Sequence, residues 1–310
     1  MKTRQPASAR RSAFILSVTL LAAFLAGTAA ARADIIYVSN WNNNTIEKFD
    51  SVTGTDLGTF ANIIGPRGLA VDSAGNLYAV SYGDGSVLKY TPAGIASVFA
   101  SGLQGPEGLT FDSQGNLYVG SLYDNNIVKL TPGGVASVFA NTGANDPYGL
   151  VFDTAGNLYV STYTGNTIQK FTPGGVGSVF IGGANGPIGL AFDYTGDLYV
   201  ANYNGHTIQK FNPAGVGSVF ASGLTDPSGL ALDSLGNVYV ADQWANPYSI
   251  KKYTPGGVGS VFSTSGLSGP AYIAIVPEPS AGELLGICLL ALFAVRPWTF
   301  HSKTHNSSMK

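Results

Sequence analysis

The chain has 310 residues, 45% hydrophobic and 11% charged, with 41 glycines, one cysteine and a formal net charge of −2. That composition excludes a disordered polyelectrolyte, and a single cysteine excludes a disulfide-stapled scaffold. Residues 34–276 hold sixteen acidic and eight basic side chains, and this acidic excess argues against a nucleic-acid partner.

Residues 1–33 read as a signal peptide in a helical segment. Lys2, Arg4, Arg10 and Arg11 make a basic start, residues 14–26 are apolar, and Ala31-Arg32-Ala33 places small residues at a cleavage site before Asp34. The protein is therefore expected to be exported.

From there the text repeats. Prolines 66, 106, 147, 187 and 227 open five copies spaced 40, 41, 40 and 40 residues apart, the mark of a repeat architecture. Within the copy 186–221, short apolar runs predict strand a over 189–192, strand b over 198–201, strand c over 207–211 and strand d over 217–221. A glycine at each a–b turn (Gly75, Gly115, Gly156, Gly196, Gly236) permits a left-handed backbone. A preceding aspartate (Asp72, Asp112, Asp153, Asp193, Asp233) caps that turn. These aspartates read as structural, because every copy carries one.

Four antiparallel strands per unit predict an all-β, six-bladed β-propeller. Residues 35–39, 45–49 and 57–61 supply strands b, c and d of a first blade, and 269–275 supply its strand a from the far end of the domain. The terminal strands would then zip the ring closed. Tyrosines in strand b (37, 78, 118, 159, 199, 239) and phenylalanines in strand d (60, 99, 139, 180, 220, 262) recur once per blade, which predicts packing between blades rather than a ligand platform. Lysines 48, 89, 129, 170, 210 and 252 recur in strand c and are too dispersed for a basic patch.

The text PxGLAxDxxGNLYV, followed by NTIxKF and PGGVxSVFA, resembles the NHL-repeat family and, more loosely, the gluconolactonase/regucalcin-like and virginiamycin B lyase-like propellers. The resemblance covers about residues 34–275. It implies that the d–a and b–c loops converge around a central channel where ligands bind.

The tail, 277–310, opens with Pro277, Glu278 and Pro279, then a hydrophobic segment over 281–295 that is expected to be helical, Arg296 and a polar end. This resembles the PEP-CTERM sorting signal of Gram-negative bacteria. The resemblance implies an exosortase-type processing enzyme as partner, transient membrane association through the C-terminal segment, and delivery to the outer surface or the extracellular matrix. Glu283 within the short apolar run and the polar tail after Arg296 depart from that pattern.

The copies differ most just after the strand-opening prolines, at Arg67, Glu107, Tyr148, Ile188, Ser228 and Tyr272. Packing does not dictate these positions, so they are the expected ligand contacts. In the b–c loops, Trp41 and Trp244 break a tyrosine pattern and join Arg67, Glu107, Tyr148 and Tyr272 as candidates for a polar partner such as exopolysaccharide or a secreted protein. No cofactor is expected. The alternative is a lactonase or lyase using a divalent cation such as calcium or magnesium, with Glu107, Asp242, Asn40 and Asn202 as the nearest oxygen donors. A lyase of the virginiamycin type would want a histidine beside a glutamate, and His206 is the one histidine in the domain; it reads as a loop residue standing where the previous copy has Asn166. A nucleophilic triad cannot be assembled with so little histidine.

Overall fold

A computed structural model of the chain describes residues 34–143 and 145–276. The expected signal helix, the sorting motif Pro277, Glu278 and Pro279, and the hydrophobic tail lie outside the described residues.

Twenty-four strands form six sheets of four. In chain order they are β1 (Ile35–Asn40), β2 (Thr45–Asp50) and β3 (Asp56–Asn62); β4 (Pro66–Val71), β5 (Leu77–Ser81), β6 (Ser86–Tyr90) and β7 (Ala96–Ser101); β8 (Pro106–Phe111), β9 (Leu117–Ser121), β10 (Asn126–Leu130) and β11 (Ala136–Asn141). They continue as β12 (Pro147–Phe152), β13 (Leu158–Thr162), β14 (Thr167–Phe171) and β15 (Gly177–Gly182); β16 (Pro187–Phe192), β17 (Leu198–Asn202), β18 (Thr207–Phe211) and β19 (Gly217–Ser222). The last are β20 (Pro227–Leu232), β21 (Val238–Asp242), β22 (Ser249–Tyr253), β23 (Gly259–Ser263) and β24 (Pro270–Val276).

Each sheet is an antiparallel meander, and the first blade has the order β24-β1-β2-β3. Its closing ladder pairs Ile36 with Ile275 and Val38 with Ile273. The two ends of the described chain therefore share one sheet, as the strand count at the ends predicted.

The turn aspartates act as expected. Asp112 accepts hydrogen bonds from the backbone N–H of Gln114 and Asn116 and from the Asn116 side chain. Burial pushes its carboxyl upward, but these bonds and Lys129 outweigh that and hold it below the ordinary carboxylate value. Lys89, Lys129, Lys170, Lys210 and Lys252 of strand c lie back over strand b tyrosines, with Lys89 5.1 Å from the Tyr78 ring centre and Lys210 5.0 Å from that of Tyr199. Lys89, Lys129, Lys170 and Lys210 also pair with the turn aspartates, Lys210 lying 3.1 Å from Asp193.

The core lies between blades. Tyr78 meets Phe99 of its own blade edge-on at 5.0 Å and Phe111 of the next at 4.9 Å, and Tyr118 and Tyr159 repeat the pattern. The ladder read from the sequence is thus interblade packing. Each fully buried aliphatic side chain there contributes about 1.5–3 kcal/mol relative to exposure.

At the centre, strand a of each blade contacts strand a of the next, closing through β24 against β4. Glycine makes this approach possible. A Cβ on Gly68 would lie 2.5 Å from the Glu107 carbonyl oxygen, and Gly108, Gly149, Gly189 and Gly229 meet the following blade in the same way. Register places Pro270 opposite Asn40 as Pro66 is opposite Ser81. Ala271 therefore holds the place of Arg67, and Tyr272 stands where the other blades have glycine. The expectation that aligned Tyr272 with Arg67 is off by one residue: Ala271 directly follows Pro270 as Arg67 follows Pro66, and the ladder register agrees.

Candidate functional site

The d–a and b–c loops meet on one face, as expected. In every blade the first b–c residue donates its N–H to a d–a carbonyl: Trp41 to Gly269, Tyr82 to Gly65, Leu122 to Gly105, Tyr163 to Asp146, Tyr203 to Gly186 and Gln243 to Asp226. A left-handed residue closes several of these loops. Asn44 (φ 60°) accepts from the Gly65 N–H at 2.8 Å and Asn166 (φ 51°) from the Gly186 N–H at 2.9 Å. His206 takes the same backbone position at φ 54°, with Nδ1 against the Thr225 carbonyl. It serves the loop.

The proposed oxygen donors Asn40, Asn202 and Asp242 occupy the last position of strand b in three different blades, and all are buried. Each holds its own d–a loop. Asn40 Oδ1 accepts from the Ser268 N–H, Asn202 Oδ1 from the Asn185 N–H, and Asp242 Oδ1 from the N–H groups of Thr225 and Asp226. Among the described residues, no three His, Cys, Asp or Glu side chains gather closely enough to hold a metal ion.

The innermost strands bring four of the named residues together. Arg67 on β4 extends toward Glu107 on β8, with Nε 3.5 Å from Oε1, a separation too long for a good hydrogen bond. Its guanidinium carbon sits 3.7 Å from the Trp41 ring centre and 5.6 Å from that of Tyr82. Trp41 thus holds one face of the arginine by a cation–π contact. Glu107 is 1% exposed. Burial pushes its carboxyl up to about 7, opposed by the Arg67 charge. Burial also raises the Tyr148 and Tyr272 phenols, helped by the Glu107 charge, while Tyr82 is pushed up to about 12, first by burial and then by its contact with Tyr123.

Arg67 Nε, Glu107 Oε2 and the Tyr272 hydroxyl are all buried without a hydrogen-bond partner. A buried polar atom left unpaired costs about 1–3 kcal/mol, so such atoms at one place need an explanation. Tyr272 reaches this position because its backbone N–H is held by Ser39 Oγ at 2.9 Å, just as Gly149 is held by Ser161.

Above this floor runs an aromatic collar. Trp41 meets Tyr82 at 5.5 Å and Tyr82 meets Tyr123 at 6.1 Å; Tyr148 meets Tyr163 at 5.4 Å and Tyr163 meets Tyr203 at 6.3 Å. Trp244 stands apart from the channel floor. It belongs to a b–c loop two residues longer than the other five, and with Asn246, Pro247, Tyr248, Thr264 and Leu267 it lines a hollow of about 400 Å³. Tyr82, Tyr123, Tyr163 and Tyr203 are the b–c loop tyrosines whose aromatic faces the sequence offered for stacking on a polar ligand, though not as the leading candidates; that they join into a collar depends on which loops lie side by side.

Residues 185–211 match the NHL repeat family and residues 94–123 match the family described as strictosidine synthase-like, N-terminal. No curated protein matches the chain. Among solved structures, a chain of a nidogen/laminin complex is similar at 21% identity with a TM-score of 0.70, covering 78% of this chain and 98% of that one. Virginiamycin B lyase from Staphylococcus aureus is similar at 15% identity and a TM-score of 0.62, covering 81% and 93%. A protein of unknown function from Bacteroides caccae is similar at 14% identity and a TM-score of 0.66, covering 79% and 100%. At these identities the likeness is one of fold: the chain is a six-bladed propeller of four-stranded blades containing NHL-repeat sequence.

Proposed function

We propose that this chain is an exported, non-catalytic binding propeller of the cell surface or extracellular matrix, whose channel face holds a polar partner, either exopolysaccharide or another secreted protein. The observation that carries this reading is the set of buried, unpartnered polar atoms on Arg67, Glu107 and Tyr272 beneath an aromatic collar. Packing alone leaves those atoms unsatisfied, whereas a polar ligand would satisfy them. Export and sorting rest on residues 1–33 and on the Pro277, Glu278 and Pro279 motif, read by an exosortase-type enzyme.

The test is retention of extracellular matrix material from a Gram-negative producer on the immobilised full chain. Arg67→Ala and Trp41→Ala should reduce retention at least tenfold, a loss of about 1.4 kcal/mol or more. Equal retention by wild type and both variants would refute the channel-face reading.

A second reading, a lactonase or lyase assisted by a divalent cation, is favoured by one observation: Glu107 is a buried carboxyl pushed up to about 7, a value suited to a general acid or base. It predicts turnover that disappears in Glu107→Gln. Absence of turnover with calcium or magnesium present would sink it, and turnover that survives the substitution would remove Glu107 from the reaction.

A further inference from the structure

Resting on the channel-face reading above, we propose that the channel floor is a carboxylate subsite and that its ligand is an acidic saccharide of the uronate class. Arg67 is the only arginine among the described residues, and it stands at the centre of an otherwise acidic domain. Lys89, Lys129, Lys170 and Lys210 are committed elsewhere, over tyrosine rings and against turn aspartates, and Lys48 and Lys252 lie over aromatic rings of their own blades. Arg67 Nε has no hydrogen-bond partner, and neither do the nearby Glu107 Oε2 and Tyr272 hydroxyl.

The charged and titratable groups acting on Glu107 are Arg67 from β4, Tyr82 from the loop after β5, Tyr148 from β12 and Tyr272 from β24. The three phenols are raised and stay neutral, so Glu107 is the member that changes state near neutrality. Ionised, it offsets the Arg67 charge. Protonated, it frees that charge and turns its carboxyl into a donor. A ligand carboxylate then accepts from Arg67 Nε–H, from the Glu107 O–H and from the Tyr272 O–H. An ammonium would meet the arginine charge, and a neutral hydroxyl would leave that charge without a counter-ion. The exposed Tyr123 of the collar, next to Tyr82, offers a flat apolar surface suited to a sugar ring.

Binding of the anion takes up one proton from solvent onto Glu107. Affinity for a uronate should therefore be level below the Glu107 value and weaken about tenfold per pH unit above it.

Calorimetric titration of the purified full chain with glucuronate, a short uronate oligomer, glucose, glucosamine and an acidic peptide, on both sides of neutrality, tests this directly. Expected are binding of the uronates over glucose and glucosamine, tightening toward acid, and loss of that pH dependence in Glu107→Gln, which keeps a donor at every pH. Arg67→Ala should abolish uronate binding, and unchanged melting of both variants would show that the fold persists. Equal binding of glucose and glucuronate, preference for glucosamine, tightening toward alkali, or preference for the acidic peptide would each overturn the uronate assignment while leaving the channel face as a binding site. If no probe binds and Arg67→Ala still retains matrix material as wild type does, the channel-face reading fails as well.

Discussion

Arg67 and Glu107 lie on neighbouring blades with Nε and Oε1 3.5 Å apart, and the second oxygen of the glutamate has no partner. A committed buried ion pair would satisfy more of its own atoms. The spacing therefore describes a buried pair left incompletely satisfied, and it makes Glu107 the group through which pH acts on the centre of the ring.

Stability should fall as pH rises toward neutrality. The Glu107 carboxyl is raised from 4.5 to about 7 on folding, so between those values the folded chain holds a proton that the unfolded chain has released. The unfolded state then binds fewer protons, and the slope of unfolding free energy against pH is negative. The full effect is about 3 kcal/mol. Glu107→Gln should flatten this part of the profile, as read from urea unfolding at acid and neutral pH; an unchanged profile would refute it.

Removing one turn aspartate should cost more than its surface position suggests. Asp112→Ala strips acceptors from the Gln114 and Asn116 N–H groups and from the Asn116 side chain. About 2 kcal/mol is expected, with Asp112→Asn recovering part of it. Chemical denaturation midpoints measure both.

Glycines within one blade should differ sharply in tolerance. A Cβ at Gly149 would collide with the Ile188 carbonyl of the next blade, whereas one at Gly182 meets nothing within 4 Å. Gly149→Ala should lose at least about 3 kcal/mol or fail to fold, and Gly182→Ala should stay within about 0.5 kcal/mol. Similar melting temperatures for the two variants would contradict the account of the central ring.

Ring closure should be needed for cooperative folding. Ending the chain after Gly269 deletes β24, uncovers the Ile36 and Val38 ladder and removes the buried Ala271 and Ile273. A broadened melt and association through the bare edge of β1 are expected, visible by circular dichroism and light scattering. A sharp, wild-type-like melt would show that five complete blades suffice.

The period near 40 residues, the four apolar runs per copy and the incomplete end copies were enough to specify six blades and the strands that close them, because each depends on local patterning and chain order. The capping role of Asp112 and the interblade role of Tyr118 and Phe139 were legible for the same reason: a feature present in every copy serves what every copy needs. Divergence after the prolines pointed to Arg67 and Glu107 one at a time. That they form a pair across two blades and that Trp41 holds the arginine were decided by the closed ring, which sets residues distant in sequence side by side. The loop duties of Asn40, Asn202 and Asp242 also emerged only there, since a side chain's hydrogen-bond partner depends on where the next loop lies and not on the residue's own surroundings in the sequence.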